Sequence, residues 1–339
     1  MRILVVHNRY QDPGGEDVVF RQEVAALSEH HTVGTLEFEN KKGWRGAVQY
    51  LTYPYNTGAG AKLKRKLRDF KPDLEHVHNI HYASGPILFR VLQKRKIPCL
   101  FTLHNYRILC PSALLFYKGE PYLKSVGKKF PWDAVRKGVL DGSRLKTFIT
   151  AVAYRLHAYL GTWSRVDAFL PLTEFAGDLL LKGNLGIQKK QIFVKPNFIE
   201  ALPAVEATAG AYYIYIGRLS VEKGVVPLLK NFDHSGAPEI YLVGDGPLRD
   251  AVPKRENIRA LGFLKRQEFT PLLAAAKAIV IPSICFEGFP LALQEGMALK
   301  KPILISRAVA ASEIIKDGVN GFVLDPWEYA DEDSFVRAQ

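Results

Sequence analysis

Cysteine is scarce. Cys99, Cys110 and Cys285 are the three in 339 residues. They are odd in number and widely spaced, which fits neither a disulfide framework nor a metal ribbon and points to a reducing cytosol. Long apolar runs are missing too. No stretch reaches about 18 uncharged apolar residues, so no transmembrane helix is expected. "MRILVVHNRY" turns polar at His7, too early for a secretory signal, and a cytoplasmic location is expected. There is no GxGxxG, which argues against a dinucleotide enzyme. No HExxH or thiolate pair accompanies His76, His78 and His81, so no metal is expected. There is no internal repeat, no low-complexity tract and no recognisable nucleic-acid-binding module, so nucleic acid is not expected as a partner.

The charge that is present is unevenly spread. Residues 1–198 hold 31 Lys and Arg against 16 Asp and Glu, and residues 199–339 hold 15 against 18. A basic first half suggests an anionic partner there, or a solvated basic surface. Its densest run is "KLKRKLRDFK" (62–71), which also reads as the exposed face of a helix.

Short β-rich runs alternate with helical segments in two blocks. The first block has strand candidates at 2–6, 31–38, 74–78, 98–104, 166–172 and 191–195, and a helix at 16–30 with two acids in its first turn. The second has them at 211–217, 239–244, 257–262, 278–282, 302–306 and 321–325. The Ala/Pro/Gly-rich segment 199–210 reads as a linker. Two doubly wound, Rossmann-like α/β domains are predicted, residues 1–198 and 211–339, with ligands outside the carboxyl ends of the strands and one shared cleft between the facing blocks. Residues 107–163 read as an insertion, irregular at first and then a helix. In that helix Leu145, Phe148, Ile149, Val152, Leu156, Tyr159, Leu160 and Trp163 form a stripe expected to face the core.

Four stretches carry chemistry. In "AIVIPSICFEGFPLALQEGMAL" a strand leads through a loop to a helix that Pro290 can open. A helix N-terminus suits a phosphate, and two carboxylates beside it, Glu287 and Glu295, suit vicinal hydroxyls. A nucleotide sugar has both groups. In "YIGRLSVEKG" a strand ends at Gly217, and Arg218 and Lys223 follow, two cations able to neutralise a diphosphate. In "QDPGGEDVVF" the pair Gly14 and Gly15 permits close backbone approach. In "TLHNYR" His104 and Asn105 end a strand and would reach the cleft.

"DPGG", "TLHN", "KPN", "GRLSVEKG", "GDGPL", "EGFPLALQE" and "DGVNGFVL", in this order over nearly the whole chain, resemble a family-4 glycosyltransferase of the GT-B fold. The resemblance implies transfer of a sugar from a UDP- or GDP-linked donor, with retained anomeric configuration and no cofactor. Arg218 and Lys223 would bind the diphosphate and Glu295 the ribose. Glu287, with Gly288 and Phe289, would hold the transferred sugar, and His104 would contact it. Gly14 and Gly15 would approach the phosphate or the acceptor, with Asn105 on the acceptor side, and "LGFL" (261–264) would pass the nucleobase. The implied acceptor is a glycan or lipid-linked precursor of a cell-surface polysaccharide, bound by the basic domain with peripheral contact to an anionic membrane face. A nucleotide-sugar epimerase or a non-catalytic nucleotide-sugar binder are the alternatives. Three departures stand out. Pro290 replaces a common glycine and removes an N–H, which leaves phosphate binding to the N–H groups of Leu291 and Ala292. "RAVAASEII" (307–315) lacks a Gly-Gly pair. The chain stops at Gln339, where the resemblance leads one to expect further helices. The only DxD-like run, "DED" at 331–333, is expected to be solvated.

Overall fold

The structure, a computed structural model, describes residues 1–11, 14–202 and 210–325. The chain divides into two units. One comprises Met1–Leu115 and Tyr122–Asn197; the other runs from Phe198 and includes a short hairpin, Phe116–Pro121.

In the first unit the elements are β1 (Arg2–Arg9), α1 (Gly15–Ser28), β2 (Thr32–Glu39), α2 (Gly43–Thr52), α3 (Thr57–Phe70), β3 (Leu74–Val77), α4 (Ile87–Arg95) and β4 (Cys99–Leu103). The hairpin strands β5 (Phe116–Tyr117) and β6 (Glu120–Pro121) come next in the chain. Then follow α5 (Trp132–Lys137), α6 (Arg144–Tyr159), β7 (Ala168–Pro171) and α7 (Glu174–Lys182). The sheet has the order β2-β1-β3-β4-β7, all parallel. β1 is interior to this sheet, and Ile3 to Val6 are buried, as strands covered on both faces require. Strand order reverses between β1 and β3, so the crevice of this unit lies at their carboxyl ends.

The second unit contains β8 (Tyr213–Ile216), α8 (Val225–Lys230), β9 (Ile240–Val243), β10 (Ile258–Gly262), α9 (Arg266–Ala275), β11 (Ala278–Ile281), α10 (Leu291–Ala298), β12 (Ile303–Ser306) and β13 (Gly321–Leu324). Its parallel sheet has the order β10-β9-β8-β11-β12-β13 and reverses between β8 and β11. Alternate residues serve two cores. Tyr213, Tyr215, Val280 and Leu304 pack with Leu228, Leu229 and Phe232. Ile214, Ile279, Ile281 and Ile305 pack with Phe269, Leu273 and Leu293.

Three expectations are corrected in whole or in part. Segment 191–195 is not a strand. A 3-10 turn at Lys189–Gln191 takes up its start, and beyond a single bridge between Ile192 and Phe169 it only lies along β7, Lys195 N–H donating to Pro171 O at 2.9 Å. The early insertion is irregular except for the hairpin and α5, with turns and coil over 107–115 and 122–131. The apolar stripe faces the core only at its far end: Trp163, just past α6, is fully buried, whereas Leu145 is 63% exposed and Tyr159 89%. The buried face is Thr147, Thr150, Ala151, Tyr154 and His157. Its polar atoms are paired, Thr150 with Tyr50 at 2.5 Å and His157 with Thr162 and the Pro54 carbonyl, so burial leaves them satisfied. Run 62–71 is largely an exposed helix face: α3 buries Leu63 and Leu67 and turns Lys64, Arg65 and Arg68 to solvent. Among the described residues no helix is long and apolar enough to cross a membrane. Most of the linker (203–209) and "DED" at 331–333 lie outside the described residues.

Candidate functional site

The reversal between β8 and β11 puts two loops side by side in the second unit. The first follows β8. The Gly217 N–H donates to Val243 O (2.9 Å) and the Leu219 N–H to Asp245 O (2.9 Å), so "GDGPL" is laid against this loop. A Cβ at Gly244, where φ is +139°, would overlap the Gly217 carbonyl oxygen, so only glycine fits. Arg218 is exposed, with no side-chain hydrogen bond or ion pair among the described residues. After Lys223, Gly224 takes φ +69°, and a Cβ there would overlap the Pro282 carbonyl oxygen. This contact and the bond from Ile284 N–H to Glu222 O (3.0 Å) fix the cationic loop to the loop after β11.

The second loop carries Glu287. One of its carboxylate oxygens accepts from Lys223 Nζ, and the other accepts from Ser283 Oγ at 2.6 Å. Burial opposes the charge of Lys223, but Glu287 more than offsets this, so the ammonium titrates above its ordinary range. The Glu287 and Gly288 carbonyls accept from Ala310 and Ala311 N–H at 2.7 and 3.1 Å, which ties the loop to the segment after β12. Phe289 is half-buried against the second core, and Pro290 precedes the first residue of α10. No side chain caps this helix, so the N–H groups of Leu291 and Ala292 open toward the loop. Glu295, on α10, is buried. Burial raises its carboxyl to about 7, and Arg266, 3.6 Å away, pulls it back. The structure therefore brings Lys223 and Glu287 together and leaves Arg218 projecting nearby in sequence. Glu295 sits on the helix behind the loop, with its own cation.

In the first unit Gly14 caps α1 and Gly15 begins it. A Cβ at Gly14 would meet nothing within 4 Å, and φ −130° is open to any residue, so packing within this unit does not demand glycine there. Asp12 and Pro13 of "QDPGG" lie outside the described residues. Asp17 accepts from Gly14 N–H (2.8 Å) and meets His7 Nε2 (2.9 Å). His104 follows β4. Its Nε2 lies 2.9 Å from His78 Nδ1, and the two rings stack. Burial, with His7, His76 and Lys195 nearby, pushes His104 down to about 3, so the ring is neutral at pH 7. Asn105 donates to Glu16 Oε1 at 2.7 Å. Burial lifts Glu16 to about 7.

One buried group has the make-up of a metal site: Glu23, His76 and His78 offer donor atoms within 4.8 Å of one another. Lys195 Nζ lies 2.9 Å from Glu23 and supplies a cation there. Sequence reading reached His76 and His78 but not Glu23, whose place on α1 marked only an amphipathic helix. It also missed Ser283 and Arg266, the groups that hold Glu287 and Glu295. Ser283 carries a signal in its place just after β11; Arg266 is lost in the charged run "LKRQE".

Residues 210–338 match the glycosyl transferases group 1 family. The structure resembles that of Anabaena HepE in complex with UDP, with a TM-score of 0.63 and 16% identity, over 99% of this chain and 89% of that one. The fold is GT-B. Among sequence relatives of this GT-B chain, sulfoquinovosyl transferase SQD2 of Arabidopsis thaliana is 29% identical over 292 residues, 83% of this chain and 52% of the relative. Alpha-D-kanosaminyltransferase of Streptomyces kanamyceticus is 24% identical over 125 residues, 34% of this chain and 32% of the relative. The matched part thus spans about a third to a half of the length of these relatives.

Proposed function

We propose that the protein is a retaining glycosyltransferase that moves a sugar from a UDP- or GDP-linked donor to a glycan or lipid-linked acceptor in cell-surface or exopolysaccharide synthesis. One observation carries the reading. Lys223, Glu287 and the uncapped start of α10 converge where strand order reverses, the crevice in which such sheets bind ligands. Arg218 and Lys223, with the N–H groups of Leu291 and Ala292, take the diphosphate and the charge that builds on it as it leaves. Glu295 accepts from the ribose hydroxyls. Glu287, Gly288 and Phe289 hold the transferred sugar, and neutral His104 meets it from the first unit, where Gly15 approaches the phosphates and Gly14 and Asn105 attend the acceptor. The complex of HepE with UDP supports a nucleotide donor.

Both oxygens of Glu287 are already engaged, by Lys223 and Ser283. That suits a binding group better than an attacking one and supports a same-face route. The sugar C1–O bond to the diphosphate breaks, the bond from C1 to the acceptor oxygen forms on the same face, and the acceptor proton passes to the leaving phosphate. Fixed cations and orientation drive the reaction without a metal. Trp44, Val48 and Leu51 form an exposed stripe on α2 beside exposed Lys41, Lys42 and Arg45, which supports peripheral contact with an anionic membrane. The experiment is a thermal-shift and turnover screen of UDP- and GDP-sugars in EDTA. One donor should stabilise the protein and release its sugar; no stabilisation by any of them refutes the reading.

A further inference from the structure

His76, on β3, and His78, just past its end, are two residues apart, so both rings leave the same face of the sheet. Glu23 of α1 meets them there. Its Oε1 lies 3.4 Å from His76 Nδ1 and its Oε2 3.8 Å from His78 Nε2. All three residues are buried. Each ring is also held from behind: His76 Nε2 lies 2.7 Å from Thr102 Oγ1, and His78 Nδ1 lies 2.9 Å from His104 Nε2. With Nε2–H donating to Thr102, the Nδ1 lone pair of His76 faces the carboxylate. His78 Nε2 is buried with no hydrogen-bond partner. Two nitrogen lone pairs and a carboxylate aimed at one another need a cation between them. Lys195 supplies one in this structure, its Nζ 2.9 Å from Glu23 Oε2. It leaves His78 Nε2 unmatched, and its side chain is 34% exposed, so it can swing out to water.

We propose that Glu23, His76 and His78 form a divalent-metal site of the zinc class, with Lys195 as its displaceable placeholder. One donor atom from each lies within 4.8 Å of the other two, so a single point is within about 2.8 Å of all three, and shifts of under about 1 Å reach bonds of roughly 2.0–2.2 Å. The ion takes the space between the donors, and water enters as a further ligand where Lys195 leaves. Two imidazoles and a carboxylate suit zinc, and Thr102 and His104 are the outer partners that orient such histidines. A metal on His78 Nε2 leaves the proton on Nδ1, so His78 donates to His104 Nε2 and fixes the tautomer of that ring as well. Every atom of the site belongs to the first unit, where it clamps α1 to β3; the proposed diphosphate loops belong to the second.

The full chain, stripped with EDTA and exchanged into chelator-free buffer, is titrated with Zn²⁺ against a chromophoric chelator and with Co²⁺ followed by its visible absorption. One Zn²⁺ should bind per chain and raise Tm, and Co²⁺ should give visible bands. Lys195→Leu should tighten Zn²⁺ about tenfold or more by removing the competing ammonium, a gain that misfolding does not produce. It should also lower the Tm of the metal-free protein, because Glu23 is left as a buried charge alone, and Zn²⁺ should restore it. Glu23→Gln should weaken Zn²⁺ about tenfold or more and remove the Co²⁺ bands. No binding by wild type, binding that Glu23→Gln leaves unchanged, or an affinity that Lys195→Leu lowers or leaves unchanged overturns the site. Lys195 is then the permanent partner of Glu23.

Discussion

Replacing Glu287 by alanine separates its two proposed jobs, because it is both the partner of Lys223 and the grip on the sugar. The Lys223 and Glu287 side chains are 28% and 17% exposed. Exposed pairs contribute about 0–1 kcal/mol, while breaking a buried pair costs about 3–5 kcal/mol. For this half-buried pair we expect a loss of about 1–3 kcal/mol, which lowers Tm by roughly 3–10 °C. Binding should divide differently. Lys223 no longer shares its charge with a carboxylate, so nucleoside diphosphate alone should bind as tightly as before or more so. The extra affinity of the nucleotide sugar over the bare diphosphate should vanish, a loss of about 1.5–3 kcal/mol or roughly 10–150-fold, the worth of a hydrogen bond to a charged group. Calorimetric titration of wild type and variant with each ligand reads both effects. An equal loss for diphosphate and nucleotide sugar would refute the division of labour between residues 223 and 287.

Glu295 offers a pH test. Its folded-state value, raised to about 7 by burial, means that native protein holds a proton the unfolded chain releases near its ordinary 4.5. Its contribution to stability is therefore complete below about 4.5 and is lost as pH rises through 7. Glu295→Gln should flatten the fall in unfolding free energy between pH 5 and 8, and in wild type donor affinity should rise over the same range as the carboxylate that accepts from the ribose forms. Gly224→Ala combines a left-handed backbone costing about 1–2 kcal/mol with overlap on Pro282, so denaturant unfolding of the second unit should shift by about 3 kcal/mol or more. His104, held down to about 3, should keep neutral imidazole chemical shifts from pH 8 to 5. A midpoint near 6.5 would show that it is not enclosed as described.

The two parallel sheets were legible because strands buried on both faces are near-continuous apolar runs, such as "RILVV" and "AIVIP". The closeness of "GRLSVEK" and "CFEGFP" followed from alternation alone, since parallel strands put such loops on one edge. What eluded sequence reading depends on partners distant in the chain. On α6 the greasier stripe suggests the core face. Thr150 and His157 lie inside instead because Tyr50 and Pro54, about a hundred residues earlier, accept or offer their hydrogen bonds. Segment 191–195 has strand composition, but only one bridge forms before Pro196 ends any ladder.

The loop from Pro282 to Gly288 is anchored by main-chain atoms: the carbonyl of Glu222 and the amides of Ala310 and Ala311. Backbone anchors survive a change of side chain. Val309, Ala310 and Ala311 are buried, Val309 and Ala311 in the core, but Arg307, Ala308, Ser312 and Glu313 can vary in size and polarity while the glutamate loop keeps its place. A library confined to those positions would redraw the walls around the sugar while sparing the charge-bearing machinery, a natural starting point for altering which sugar the protein accepts.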